Sequence, residues 1–231
     1  MRDKFLGINE FAAHMTDNNP DNLLERRWEQ LTERRQQRLT DAAQQRQRGL
    51  MVVMEDVHNP HNLAAIARSC DAFGVQQVTF TVQDHNLFDP HSVGRISSSS
   101  ASKWLDYRIF ETGTKACFQT LQAEGWHLLA TVAGDDIPSL YDVDLTAHKK
   151  LAVLVGNEHQ GLSQTAINLA DSYITIPMRG MIQSFNVSVA TAITLAEITR
   201  QREASPVDFD ISLAEARALA LDFMQRKQFE R

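Results

Sequence analysis

The chain has 231 residues, 43% of them hydrophobic and 23% charged, with a formal net charge of −6 at pH 7. That length allows one substantial core with helical additions. No apolar run approaches the ~20 residues that span a bilayer, and MRDKFLGINEF at the start lacks the apolar stretch and cleavage site of a secretory signal, so a cytoplasmic protein outside the membrane is expected.

The two cysteines, Cys70 and Cys117, form no C-x-x-C pair, and His58 and His61 have no third ligand nearby. A disulfide framework and a metal site are therefore not expected. Net negative charge argues mildly against a nucleic-acid partner, but its distribution argues the other way: seven arginines face three acids between positions 26 and 48.

Residues 21–48 contain no Gly or Pro after Pro20 and read as one helix. At about 100° per residue, Leu24, Trp28, Leu31, Leu39 and Ala42 make an apolar stripe, Arg27, Arg34 and Arg38 gather along its edge, and Glu29 and Glu33 point away. One reading is a solvated helix laced by i,i+4 pairs. The other is a helix docked by its Trp/Leu stripe that presents arginines to phosphate, and the segregation of signs favours it.

From residue 50 the texture changes. LMVVMEDV reads as a buried strand, and NPHNLAAIARSCDAFG as a helix with Asn59 as N-cap, Pro60 in its first turn and Gly74 beyond its end. Strands are expected at VQQVTFTV, 105–110, WHLLATV, LAVLVG and SYITIP, and helices near 114–124, 163–170 and from Gln183 onward. Apolar strands alternating with helices mean an α/β fold, a parallel sheet with helices on both faces. QREASPVDFD reads as a polar linker and SLAEARALALDFMQRKQ as a final amphipathic helix. The expected organisation is an N-terminal helical extension (1–48), a central domain (49–200) and a C-terminal helical extension (201–231).

In such sheets ligands sit outside the carboxyl ends of the strands, where four segments carry unusual residues. Arg68 lies among Ala64, Ala65, Ile66, Ala67, Ser69 and Cys70, where a guanidinium is poorly solvated and calls for an anion. A structural pair near Asp71 or with a sheet-edge acid is the alternative, and Asn62 could simply serve the first turn of its helix. VGNEHQGLS breaks a strand into a loop bounded by Gly156 and Gly161, with Glu158 as a candidate acid, base or hydroxyl acceptor. It is neither a Walker loop nor a G-x-G-x-x-G fingerprint. In IPMRGMIQSFNVSVATAI, Ser184 is suited to cap the helix, and Asn186 is placed one turn inside, where a buried amide needs partners. Thr131 ends a strand.

Taken together, MEDVHNPHNLAAIARSCDAFGV, LAVLVGNEHQGLS and ITIPMRGMIQSFNVSVATAI resemble the three motifs of the SpoU/TrmH branch of the SPOUT superfamily, the RNA ribose 2′-O-methyltransferases. The flanking LTERRQQRLTDAAQQRQRGL and ASKWLDYRIF are similar to the tRNA enzymes that methylate guanosine 18 of the D-loop. The resemblance implies a C-terminal deep trefoil knot, S-adenosylmethionine as cofactor, tRNA as substrate and a homodimer. It places the motif residues on Asn62, Arg68, Glu158, Ser184 and Asn186, and cofactor contacts on Thr131, Gly156, Ile176, Met178 and Phe185, the apolar Ile176 and Met178 lying against adenine. A guanidinium is a very poor base at pH 7, so Arg68 is read as orienting the ribose hydroxyl and offsetting phosphate charge. Two departures stand out: Phe185 where the family often has Leu, and the serine-rich 97–102 stretch where relatives often carry glycine. Alternatives are a ribosomal-RNA or wobble-position enzyme, a non-catalytic RNA-binding protein of the same fold, and an α/β enzyme for a phosphorylated metabolite.

Overall fold

In the computed structural model the described residues are 4–6, 20–82 and 102–226. In chain order the elements are β1 (Lys4–Leu6), α1 (Pro20–Glu29), α2 (Glu33–Gln44), β2 (Leu50–Glu55), α3 (Pro60–Ala72) and β3 (Gln77–Thr81). A 3-10 turn (Ser102–Trp104) follows, then β4 (Asp106–Phe110), α4 (Thr114–Ala123), β5 (His127–Thr131), β6 (Leu151–Val155), α5 (Gln164–Leu169), β7 (Ser172–Ile174), α6 (Val187–Ala204) and α7 (Leu213–Arg226).

Every residue of β2 and of β6 is buried, because both lie in the middle of a sheet ordered β1-β4-β3-β2-β6-β5-β7. The six strands from β4 to β7 are parallel, with Val52 registered between Val78 and Val153. The short β1, which the sequence reading did not anticipate, runs antiparallel along β4. Side chains alternate across a strand, so Leu50, Val52 and Met54 meet α3 and α6 on one face, through Leu63, Ile66, Leu195 and Ile198. Met51 and Val53 meet α4 and α5 on the other, through Phe118, Leu121 and Ala166. From β2 the chain builds outward to β3 and β4, then crosses to β5 and β6 on the opposite side. The carboxyl ends of β2 and β6 therefore form the switch point at which open α/β sheets bind ligands.

The basic segment is two helices, not one. Thr32 takes an extended conformation as N-cap of α2, and the corner is closed by the Leu31 N–H (3.0 Å) and the Gln36 amide (2.8 Å), which both donate to the Trp28 carbonyl. The break resets the helical phase, so Trp28, Leu39 and Ala43 are buried while Ala42 is exposed. They pack on Ala216, Leu219, Ala220, Phe223 and Met224 of α7, joining the two terminal regions in a cluster of their own. The QREA of the expected linker continues α6, which ends at Ala204, and β7 stops at Ile174 rather than running to Pro177. The serine-rich stretch up to residue 101 lies outside the described residues. Among the described residues no helix is long and apolar enough to cross a membrane.

S-L-A-E opens α7 as a capping box: the Ser212 N–H and hydroxyl donate to Glu215 (2.8 and 2.6 Å), and the Glu215 N–H donates back to the Ser212 oxygen at 3.3 Å. The Ser212 donors, with Arg48 beside them, hold the Glu215 carboxyl down at about 2. A carboxyl depressed on folding stabilises the fold fully above its ordinary range and ceases to do so as pH falls through its folded value. Thermal melts between pH 5 and pH 2 should therefore show Glu215→Gln losing less stability than the parent across that interval. The difference should be small for so exposed a pair, and parallel losses would exclude this anchor.

Candidate active site

The first motif turns sharply out of β2. Asp56 adopts a left-handed φ of 50°, its N–H donating to the Thr81 carbonyl at 3.1 Å. Asn59 caps α3 by accepting the His61 N–H at 2.9 Å, and Pro60 follows in the first turn, where its missing donor costs nothing. Asn62, 8% exposed, is thereby released from capping and turned toward the second motif.

Its amide donates to Glu158 Oε1 at 2.8 Å, and the Asn59 N–H reaches the same oxygen at 3.3 Å. From the third motif the Asn186 amide donates to Asn62 Oδ1 at 3.0 Å. One hydrogen-bonded cluster thus joins residues 96 and 124 positions apart. In it Glu158 is a carboxylate acceptor held by two N–H groups, which fixes its orientation. Asn186 is itself the N-cap of α6, accepting the Ser188 N–H and hydroxyl at 2.9 and 2.6 Å. The expectation that Ser184 caps this helix, with Asn186 inside it, is therefore corrected. Ser184 and Phe185 precede the helix and are exposed.

Arg68 lies about 9 Å further along α3 and a third of a turn round from Asn62. It is exposed rather than lodged among small side chains, and it makes no hydrogen bond or ion pair with a described residue. The alternative of a pair near Asp71 is excluded, because that carboxylate is taken by Arg46 at 2.5 Å. The Arg68 guanidinium is therefore available to an external anion.

Gly156 follows β6 at a point where a Cβ would overlap the backbone of Gly161 and Leu162, so the loop folds back on itself there. Asn157 and Gly161 exchange backbone hydrogen bonds (3.0 and 2.9 Å), and Gly161 supplies the left-handed φ of 69° that the return requires. Thr131, half-buried, donates its hydroxyl to the Leu154 carbonyl at 2.8 Å. Ile176 packs partly on the core and Met178 is half-buried, while Phe185 is 37% exposed. Thr131 ends β5, Gly156 follows β6, and Ile176, Met178 and Phe185 follow β7. Two neighbours that the sequence reading passed over are Glu55 and Asn157. The signal for Glu55 was an acid closing five apolar residues.

The family model of the SpoU rRNA Methylase family matches residues 49–196. The chain belongs to this family. Among SpoU relatives, the tRNA (guanosine(18)-2′-O)-methyltransferase of Thermus thermophilus is 42% identical over 159 residues, which cover 68% of this chain and 77% of that protein. The crystal structure of the A. aeolicus TrmH/SpoU tRNA-modifying enzyme superposes with a TM-score of 0.68 at 30% identity, covering 86% of this chain and 98% of that one. The SpoU methyltransferase AviRb from Streptomyces viridochromogenes, in complex with AdoMet, superposes with a TM-score of 0.56 at 29% identity, covering 71% of this chain and 65% of that one. All three SpoU motifs lie inside the matched residues, whereas α1, α2 and α7 lie outside them.

Proposed function

We propose that this SpoU protein is an S-adenosylmethionine-dependent tRNA ribose 2′-O-methyltransferase acting on guanosine 18 of the D-loop. The observation that carries the reading is the hydrogen-bonded cluster of Asn62, Glu158 and Asn186, which brings all three motifs to the sheet's switch point, with Arg68 on the same helix as Asn62 and unpaired among the described residues. The relative that acts on guanosine 18 gives the target.

The cofactor suits the residues present, since Ile176, Met178 and Phe185 offer apolar surface to an adenine beside the backbone of Gly156. When bound, it supplies an electrophilic methyl on a sulfonium, so no further activation of the leaving group is needed. The chain's residues then have to position the ribose, which for such displacements supplies most of the acceleration. Asn62 and Asn186 fix Glu158, with Ser184 at the mouth of the same segment. Arg68 orients the 2′-hydroxyl and offsets charge on the neighbouring phosphate, and the hydroxyl proton passes to water.

Several further features belong to this reading. The chain after β7 leaves the sheet edge, yet α6 packs with α3 over the central strands, which supports a trefoil knot formed by threading 176–186 past the 132–150 loop. Exposed Met181, Ile182, Phe185 and Val189 on the site side support a homodimer. The helices of 20–48 and 213–226 are additions to a catalytic domain in the cytoplasm that runs to the end of α6 at Ala204. Exposed Arg27, Arg34 and Arg38 face RNA phosphates.

The test is methyl transfer from labelled S-adenosylmethionine to unmodified total tRNA, with the modified nucleotide mapped. A 2′-O-methyl on guanosine 18 is expected. Transfer to ribosomal RNA alone, the substrate in the family's description, would overturn the target, and no transfer to any RNA would overturn the activity.

A further inference from the structure

We infer that Glu55 and Asp56, consecutive residues at the end of β2, clamp both ends of the loop that carries Glu158, and that Glu55 is a positioning residue for methyl transfer. The inference rests on the methyltransferase reading above and adds a residue that none of the three motif assignments uses.

A carboxylate closing the apolar run LMVVM and only 2% exposed must be satisfied by donors. Glu55 accepts the Ser163 N–H on Oε2 and the Ser163 hydroxyl on Oε1, both at 2.7 Å, and the Thr114 hydroxyl on Oε1. Ser163 is the N-cap of α5 and Thr114 is the first residue of α4. The carboxylate therefore sits at two helix N-termini, whose partial positive charge favours an anion. One residue on, the Asp56 carbonyl accepts the Asn157 amide at 3.0 Å from a backbone held at φ 50°. That conformation is unfavourable for a non-glycine residue and persists where the surroundings enforce it.

Asn157 and Ser163 are the first and last residues between Gly156 and α5. The loop is thus fixed at entry and exit by the last residue of one central strand and the residue after it, with Glu158 between the two fastenings. The Glu158–Asn62 bond of 2.8 Å survives only if the loop stays in register with α3, because a shift of about 1 Å takes it beyond hydrogen-bond range. Glu55 acts through Glu158 and touches neither substrate nor cofactor in this scheme.

Glu55→Gln keeps the size but turns one acceptor oxygen into a donor facing donors. In the full-length protein we expect kcat on tRNA to fall about tenfold with KM within about twofold. Glu55→Gln/Glu158→Gln should be no slower than Glu158→Gln alone, since both changes disable one device. Amide hydrogen exchange, which needs no RNA, should quicken across 157–163 and stay unchanged in β3. If Glu55→Gln does not fold, Ser163→Ala removes one hydroxyl contact and should lower kcat about threefold with the same non-additivity. A kcat within twofold of the parent, additive losses, or unchanged exchange in the loop would each overturn the inference. A parent enzyme without transfer would instead overturn the activity, leaving exchange to decide the clamp.

Discussion

Arg68→Ala is expected to lower kcat/KM for tRNA by about 100- to 1,000-fold, the range found when one preorganised electrostatic donor is removed from an active site, while cofactor affinity stays within about twofold. The side chain is exposed and bonds to no described residue, so its truncation removes no packing and should leave thermal stability almost unchanged. What it removes is the one cation on α3 that faces solvent in its central turns. Arg68→Lys separates charge from geometry. Lysine keeps the point charge but loses the planar fork that can hold a hydroxyl and a phosphate together, so it should recover part of the rate. Turnover is followed by labelled methyl transfer and cofactor binding by calorimetry. If Arg68→Ala weakened cofactor binding as much as turnover, the side chain would belong to the cofactor pocket and its assigned role would fail.

The parts of this fold written in local chemistry were legible in the sequence. Asn59 before Pro60, with Gly74 at the far end, specifies α3 because capping, a fixed φ and a left-handed stop are properties of those residues alone. The central strands were legible because only a strand covered on both faces tolerates an unbroken apolar run. The break at residues 30–32 was not, since nothing there is a strong helix breaker. It is fixed by Trp28 and Leu39 reaching α7, nearly two hundred residues away. The start of α6 was misplaced for a related reason. Ser184 and Asn186 are both good caps, and the choice is fixed by Asn62, which accepts the Asn186 amide from another element. Glu55 escaped notice because a buried carboxylate gains meaning only with its donors, and these come from α4 and α5. In the candidate site, residue types were readable and their mutual bonds were not.

Arg46→Ala should destabilise the protein by about 2–3 kcal/mol, at or just below what breaking a fully buried ion pair costs because the carboxylate is half-buried, measured as a shift in urea midpoint at constant slope. Counted along the sequence, Arg46 belongs to the basic excess of residues 26–48; in the fold it is 3% exposed. Its guanidinium donates to the Asp71 carboxylate at 2.5 Å and to the carbonyls of Asp71 and Val75 at 3.3 and 3.4 Å. Its face lies 5.4 Å from the centre of the Phe223 ring of α7. One side chain therefore ties the terminal helices to the end of α3, whose opposite end holds Asn62. Truncation leaves Asp71 without its cation and three carbonyl or carboxylate acceptors short of a donor. Arg46→Met/Asp71→Leu should regain part of the loss, because apolar replacement removes the buried cation together with its half-buried partner. The measurement also separates two roles for this arginine. A residue that reads phosphate would leave the urea midpoint alone and flatten the salt dependence of tRNA binding. The buried fastener lowers the midpoint and leaves that slope unchanged, and a loss below about 1 kcal/mol, the scale of an exposed pair, would rule it out.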